Sequence, residues 1–518
     1  MMNLVRKLSR RDLLKGLGAT ASTALLAACT TPTATDQAAG PGASAETPEV
    51  WVFQGQPTCP GGGNDEKTQA LRDLIQEETG VLVNVYMVAP GTAQTEKLNL
   101  LLASGSEPLD LFEGNWPDFK TAIIPVDDLL AEYGENIVRM NSDYAWARMR
   151  DAEGKTWGYP RLGLMAHTHF CFFRTDWLAE AGLEMPTMWD QMEETIVAFR
   201  DLHPESVVAA DGRNNLMMNT LGAFVPDGNS NWLDGDGMLK PVELHPGYRE
   251  WVAKMNEWWQ LGYFQQETFA NPDFRAMLNT LTIGTWLGWY SRITIWWEQI
   301  RLDAGYTDID YGFPETMTGP EGLAKTNNVG GNSAYMIPRK SKSPEAVIRY
   351  IDWCYRGLPD DATNLVTVRA GLEGVDWEWV DKAAGQYRML VPATAACEEK
   401  YASDFYNVKG MGTEPYVVEV LENGQPGRQS THTVTYYDKF DLGKMPIDFD
   451  VPYDTTLISS NFPGLADFQR LLDEESIKFI TGVRPLSEWS DFMAQVERAG
   501  LDDWSRLYTE QYRLYHPA

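Results

Sequence analysis

The chain has 518 residues, 43% of them hydrophobic, with 43 lysines and arginines against 73 aspartates and glutamates, for a formal net charge of −30. That length exceeds what one hydrophobic core serves, so two domains or more are expected. The acidic excess argues against nucleic acid or anionic lipid as charge-recruited partners, and no stretch after the N-terminus approaches the ~18 uninterrupted apolar residues of a membrane-spanning helix.

The N-terminal segment reads Ser9-Arg10-Arg11-Asp12-Leu13-Leu14-Lys15, then an apolar run from Leu17 to Ala28 that closes on Leu26-Ala27-Ala28-Cys29. A basic opening, a short apolar run and small residues at its end describe an export signal, residues 1–28, that is removed. Arg10 and Arg11 fit the twin-arginine route; the same residues also serve the general secretory route. Leu-Ala-Ala-Cys resembles the lipobox of bacterial lipoproteins. That resemblance implies that Cys29 is acylated and holds the mature chain on the extracytoplasmic face of the cell membrane. Residues 29–48, rich in Thr, Ala, Pro, Gly and Ser, have too little apolar bulk to offset their ordering entropy and read as a flexible tether.

Folded structure is expected from Glu49. Glu49 to Phe53 reads as a strand, and Glu66 to Thr79 as a helix with Leu71, Leu74 and Ile75 on one face and a stop at Gly80. Val81, Val83, Val85 and Met87 alternate as in a strand. Thr95 to Ser104 is a helix ending at Gly105, and Leu109 to Phe112 a short strand. This alternation predicts a parallel sheet with crossover helices, whose ligands bind beyond the carboxyl ends of the strands. Attention therefore falls on Gln54–Thr58 and Glu113–Trp116. Farther on, Trp177 and Leu178 start a short helix ending at Gly182. Pro186-Thr187 introduces a longer one with Trp189, Met192, Ile196 and Phe199 on a single face. Asp-Gly-Asp-Gly within Asn231 to Val242 marks a hairpin. Tyr248, Trp251, Val252, Met255 and Trp259 form another helical stripe. Ser343-Pro344-Glu345 opens a helix that buries Val347, Tyr350, Ile351 and Cys354. Two C-terminal stripes flank Gly500, with Trp489, Phe492, Met493 and Val496 before it and Trp504, Leu507, Tyr508 and Tyr512 after.

Several segments resemble family 1 extracellular solute-binding proteins, the receptors of ABC importers for sugars, and in particular their large oligosaccharide-binding lipoproteins. Gly158-Tyr159-Pro160-Arg161, followed by Phe172 to Leu183, resembles the family's domain-crossing strand and next helix. Pro186-Thr187-Met188-Trp189-Asp190 and Ser341-Lys342-Ser343-Pro344-Glu345-Ala346 resemble two of its helix starts. Gly371 to Trp377 resembles a G-x-E-G-x-x-Y segment, with Trp377 where tyrosine often stands. Pro485 to Trp489 with Gly500-Leu501-Asp502 resembles the C-terminal signature. The resemblance implies an α/β, two-lobed periplasmic-binding-protein type II fold with discontinuous lobes and a hinge. On this reading lobe one is residues 49–160 with about 270–330, and lobe two is residues 161–269 with about 331–518. It also implies a non-catalytic, monomeric receptor that passes a sugar to ABC permease subunits, touches the membrane through its anchor only, and needs no cofactor.

A sugar site needs rings to cover C–H faces and polar groups to bond hydroxyls. Trp177, Trp189, Trp251, Trp259, Trp489 and Trp504 lie on helical stripes and belong to the core. Trp51, Trp116, Trp232, Trp286, Trp289 and Trp377 lie at expected strand ends or in loops rich in Gly, Pro or Asn. Gly284-Thr285-Trp286-Leu287-Gly288-Trp289-Tyr290-Ser291-Arg292 has paired glycines around aromatics and reads as a loop. The candidate ligand residues are therefore Gln54, Asn115, Trp116, Arg161, Trp232, Trp286, Trp289, Tyr290 and Trp377. Asp110 is read as structural.

Rival chemistries are weaker. His167 and His169 share one face of an extended stretch, but a metal site needs a further ligand. Asp227 to Asn231 imitates a calcium loop but has Trp232 and Met238 where glycine and glutamate are required. No metal is expected. Cys59, Cys171, Cys354 and Cys397 allow three full disulfide pairings, while the apolar setting of Cys354 also suits a buried thiol. A surface glycoside hydrolase would need two carboxylates flanking one bond, and 73 acidic residues always supply a pair. A receptor for peptide or another polar solute, and a sugar sensor without a transporter, remain open alternatives.

Overall fold

A computed structural model describes residues 47–54, 66–88, 91–141, 143–160, 166–210, 212–226, 231–270, 274–289, 293–314, 317–322, 327–329, 333–390, 417–420 and 451–516. The export signal, Cys29, most of the tether, Cys59, Arg161, Tyr290, Cys397 and the Asp227–Ser230 segment lie outside the described residues.

The first sheet forms as its periodicity predicts. β1 (Glu49–Gln54) and β2 (Leu82–Met87) pair in parallel with Val50 opposite Val83 and Val52 opposite Val85. The crossover helix α1 (Glu66–Thr79) buries Leu71 and Ile75 and stops at Gly80, whose φ of +71° suits glycine. α2 (Thr92–Ser104) leads to β3 (Phe112–Asn115), three residues later than the expected strand. The reason is Asp110. Its carboxylate accepts from the Trp51 backbone N–H at 2.9 Å and from the Ser341 hydroxyl at 2.6 Å. That pins the preceding segment by a side chain, and Leu111 makes a single parallel bridge to Val52. Burial pushes the Asp110 carboxyl up, against these hydrogen bonds. β3 runs into a single helical turn, α3 (Trp116–Phe119), and β4 (Tyr159–Pro160) follows later.

The second sheet starts at β5 (Ala166–Arg174), followed by α4 (Thr175–Ala181) and α5 (Trp189–Leu202). Next come β6 (Val207–Ala210), α6 (Gly212–Thr220), the hairpin β7 (Trp232–Leu233) and β8 (Leu239–Lys240), and α7 (Pro246–Gln260). β9 (Ile283–Trp289) is central, antiparallel to β5 and parallel to β6. β10 (Tyr311–Gly312) and β11 (Asn327–Val329) pair with β5. The chain then returns to the first sheet as β12 (Ser333–Met336), inserted antiparallel between β3 and β4. After α8 (Pro344–Tyr355) come β13 (Trp377–Asp381), β14 (Gln386–Met389) and β15 (Val418–Glu419). The C-terminal helices are α9 (Thr455–Asn461), α10 (Leu465–Thr481), α11 (Trp489–Arg498) and α12 (Leu501–Tyr515).

Two apolar cores result, and they correct the expected lobe borders. One joins Val50 to Tyr159 with Ala334 to Val417. The other joins Cys171 to Met317 with Val451 to Tyr512. The segment 283–329, assigned from sequence to lobe one, belongs with the second core because β9 pairs between β5 and β6. Conversely, residues 334–390 belong with the first, because β12 and α8 pack there. The second sheet is covered on both faces. Cys171, Phe173 and Leu287 face the helices, while Phe172 and Trp286 face a third cluster with Trp297 and Tyr311. The tryptophans read as core from helical stripes lie in the second core or pack against it. Cys171 and Cys354 are buried and neither is in a disulfide. No helix among the described residues is long and apolar enough to cross a membrane.

Candidate ligand site between the two cores

Two crossings bring one edge of each sheet to a common junction. Residues 161–165 separate Pro160 of β4 from Ala166 of β5, a distance of at most about 20 Å for extended chain. Residues 330–332 separate Val329 of β11 from Ser333 of β12, at most about 14 Å. On the first sheet, Ser333 stands opposite Asn115, and Ala334 opposite Pro160. On the second, Val329 stands opposite Ala166, His169 opposite Trp289, and Ala210 opposite Leu287. The carboxyl ends of β3, β6 and β9 thus close on the strand ends that carry the crossings. Gln54 ends β1 opposite Met87, and β1 meets the residue before β3 through the single Val52–Leu111 bridge.

Asn115 is the best defined polar group there. Its Nδ2 donates to Asp118 Oδ2 at 2.8 Å and to the Tyr453 carbonyl at 2.8 Å. Asp118 in turn accepts from the Thr455 hydroxyl at 2.8 and 2.9 Å and from the Thr456 backbone N–H at 2.9 Å. These bonds tie α3 of the first core to the start of α9 in the second. Asn115 Oδ1 is shielded from solvent and has no hydrogen-bond partner among the described residues. Sequence reasoning found Asn115 through its strand end but missed Asp118, Tyr453 and Thr455. Only Asp118 carried a local signal, an acid beside Pro117 in a helix's first turn.

The aromatic candidates divide. Trp286 is 0% exposed, Trp377 0% and Trp116 2%, so their faces are already covered by protein and none can stack a ligand. Trp286 packs on Phe172 and Tyr311. Trp377 donates its Nε1–H to the Gly371 carbonyl at 2.8 Å. Trp116 donates to the Arg148 carbonyl at 2.9 Å and stacks parallel to Trp157. The paired glycines around Trp286 do not mark a loop. A Cβ on Gly284 would lie 2.4 Å from Ser206 Oγ and 2.8 Å from the Phe199 ring, and one on Gly288 would lie 2.5 Å from Trp286 Nε1. They are a central strand's concessions to close neighbours. Trp232 sits in the β7–β8 hairpin with its ring edge-on to His245. No ring contact or hydrogen bond among the described residues joins it to the strand ends. Trp289 ends β9 at the junction. Among the described residues no group of three or more His, Cys, Asp or Glu side chains could hold a metal ion.

Two surface concavities lie elsewhere. One of about 550 Å³ is lined by Arg249, Trp489, Met493 and Glu497, the other of about 460 Å³ by Asp360, Trp379 and Lys382. Each is built from elements of one core and contains no strand-end residue.

Comparison with known proteins agrees with this architecture. The fructooligosaccharide ABC transporter substrate-binding protein FusA of Streptococcus pneumoniae is 22% identical over 509 residues, covering 87% of this chain and 88% of FusA. The structure of FusA in complex with kestose matches with a TM-score of 0.62 at 18% identity, over 90% of this chain and 99% of that one. The N-glycan transport solute-binding protein NgtS of the same organism matches with a TM-score of 0.63 at 16% identity, over 90% and 99%. These likenesses show the two-lobed solute-binding fold. The model of the bacterial extracellular solute-binding protein family matches residues 63–356, more than half of the chain, so the chain is a member of that family.

Proposed function

We propose that this chain is a lipid-anchored, extracytoplasmic receptor that captures an oligosaccharide between its two lobes and delivers it to an ABC permease. The reading is supported by membership of the solute-binding family and by the paired strands whose ends carry the two crossings between the sheets. FusA and NgtS, similar over nearly their whole lengths, are named for fructooligosaccharide and N-glycan transport. The proposed ligand residues are Gln54 and Asn115 from the first sheet, Trp289 from the second, and Tyr290 and Arg161, which lie outside the described residues. Cys29 is the proposed anchor, and Arg10 and Arg11 the export signal. The receptor acts as a monomer and performs no chemistry. Binding closes the lobes about the hinge, and taking an almost fully open population to an almost fully closed one needs about 5.5 kcal/mol of differential affinity.

The test is calorimetric titration of the mature chain, with Cys29→Ser to remove the lipid, against neutral oligosaccharides, uronate oligosaccharides and short peptides. The ligand is checked afterwards for cleavage. Saturable binding of an intact sugar supports the receptor. Cleavage would favour a glycoside hydrolase, and binding of peptides alone would overturn the sugar assignment.

A further inference from the structure

We infer that residues Tyr453 to Thr456 form a pivot strap held by both lobes, and that Asp118 and Gln511 are the positioning residues that anchor it from opposite sides. The inference rests on the proposed closing of the lobes and on no ligand residue.

The strap leads from Val451, in the second core, to α9, whose Ile458 is buried there. By chain it therefore belongs to lobe two. Lobe two holds it through the Tyr453 ring, which packs on Tyr508 of α12 with centroids 4.9 Å apart. Buried Gln511 of the same helix grips the next residue twice. Its Oε1 accepts from the Asp454 backbone N–H at 2.7 Å, and its Nε2 donates to the Asp454 carbonyl at 3.3 Å. The residues on either side of Asp454 turn to lobe one. The Tyr453 carbonyl accepts from Asn115 Nδ2 at 2.8 Å. The Thr455 hydroxyl and the Thr456 backbone N–H donate to Asp118 at 2.8 and 2.9 Å. Along four residues the bonds thus go to lobe one, to lobe two, and to lobe one again.

The strap also stands where the lobes must turn. Asn115 lies opposite Ser333, the first residue after one crossing. The next residue, Ala334, lies opposite Pro160, the last before the other. Crossings a few residues long cannot stretch, so one lobe rotates against the other only about them. Groups beside the crossings move least in such a rotation. The bonds from Asn115 and Asp118 therefore persist while the far ends of the lobes travel, and they confine the turn to one path. Thr455 and Thr456 are exposed, so the Asp118 anchor can be removed without opening either core.

The test uses the ligand-free mature chain carrying Cys29→Ser. Hydrogen–deuterium exchange resolved to single amides follows the Thr456 N–H, bonded to Asp118, and the Asp454 N–H, bonded to Gln511. Small-angle X-ray scattering follows the separation of the lobes. In Asp118→Ala the Thr456 amide should exchange about 3- to 10-fold faster, the worth of one hydrogen bond, while the Asp454 amide changes less than about twofold. The radius of gyration should rise as the lobes spread. Gln511→Ala should reverse the order of the two amides. Thr455→Val loosens the same anchor as Asp118→Ala at an exposed site, should raise the radius of gyration likewise, and serves if Asp118→Ala does not fold. An unchanged radius of gyration in Asp118→Ala and Thr455→Val would overturn the inference. So would equal acceleration of both amides in each anchor variant, which would make the strap an element of one lobe. Because no sugar is added, either failure is separate from a failure of the calorimetric titration and leaves the receptor reading intact.

Discussion

Replacing Arg213 with methionine tests how the second core is held together. The guanidinium of this α6 residue is buried and meets three partners. NH2 donates to Glu243 Oε1 at 2.5 Å and to the Tyr248 hydroxyl at 2.9 Å, and NH1 donates to Asp473. Nearby carboxylates hold it well within its charged form despite burial. The partners differ in exposure. The Glu243 side chain is 10% exposed and that of Asp473 57%. An exposed ion pair is worth about 0–1 kcal/mol, whereas leaving a buried carboxylate without its cation costs about 3–5 kcal/mol. Tyr248 still donates to Ser476 Oγ at 2.8 Å, so it loses only an incoming bond of about 1 kcal/mol. Arg213→Met should therefore destabilise by about 3–5 kcal/mol, nearly all of it through Glu243. Asp473→Asn should cost less than about 1 kcal/mol, and adding Glu243→Gln to Arg213→Met should recover most of the loss. Urea unfolding followed by far-ultraviolet circular dichroism measures all three. Equal costs for Arg213→Met and Asp473→Asn, or no recovery in the double variant, would refute the assignment of the energy to Glu243.

Other expectations follow from the same packing. Trp286→Ala should lower stability by about 3–5 kcal/mol as a buried ring is removed, whereas Trp289→Ala should chiefly weaken ligand binding. Thermal shift read beside calorimetry separates the two, and a destabilised Trp289→Ala with unchanged affinity would count against the site. Gly284→Ala should cost about 1–3 kcal/mol by overpacking against Ser206 and Phe199, and a melting temperature equal to wild type would show that the strand gives way freely. Glu475 is pushed up by burial, but its bonds to Lys478 and Arg484 outweigh this and hold it below its ordinary value of 4.5. A depressed carboxyl contributes stability above its unfolded value and loses it as pH falls through the folded one. Melting temperature should accordingly drop more steeply below pH 4.5 in the wild type than in Glu475→Gln, and parallel curves would refute the linkage.

The helices were legible because their stripes are local. Trp189, Met192, Ile196 and Phe199 lie within one helix and point to one core whatever surrounds it. The place of Asn115 at a strand end was legible, and the structure makes it the last residue of β3. Trp286 was misread because glycine serves both loops and crowded strands, and only the positions of Ser206, Phe199 and Trp177 tell which. The lobe borders were misread for a related reason. Pairing of β9 with β5 and of β12 with β3 joins residues far apart in the chain, and no local pattern records it. The partners of Asn115 share that difficulty, since Tyr453 lies 338 residues away.

The return of β12 to the first sheet has a consequence for how the protein can be made and rebuilt. Until Ser333–Met336 leaves the ribosome, β3 presents an unsatisfied hydrogen-bonding edge and the first core lacks its middle strand. At about 5–20 residues per second the roughly 220 intervening residues take roughly 10–45 seconds, an interval in which that edge invites pairing with other chains. The first part of lobe two is in effect a passenger between the two segments of lobe one, while its last part follows both. A single cut therefore frees neither, and an exchange of binding specificity between relatives has to be spliced at both crossings together and again ahead of the C-terminal helices.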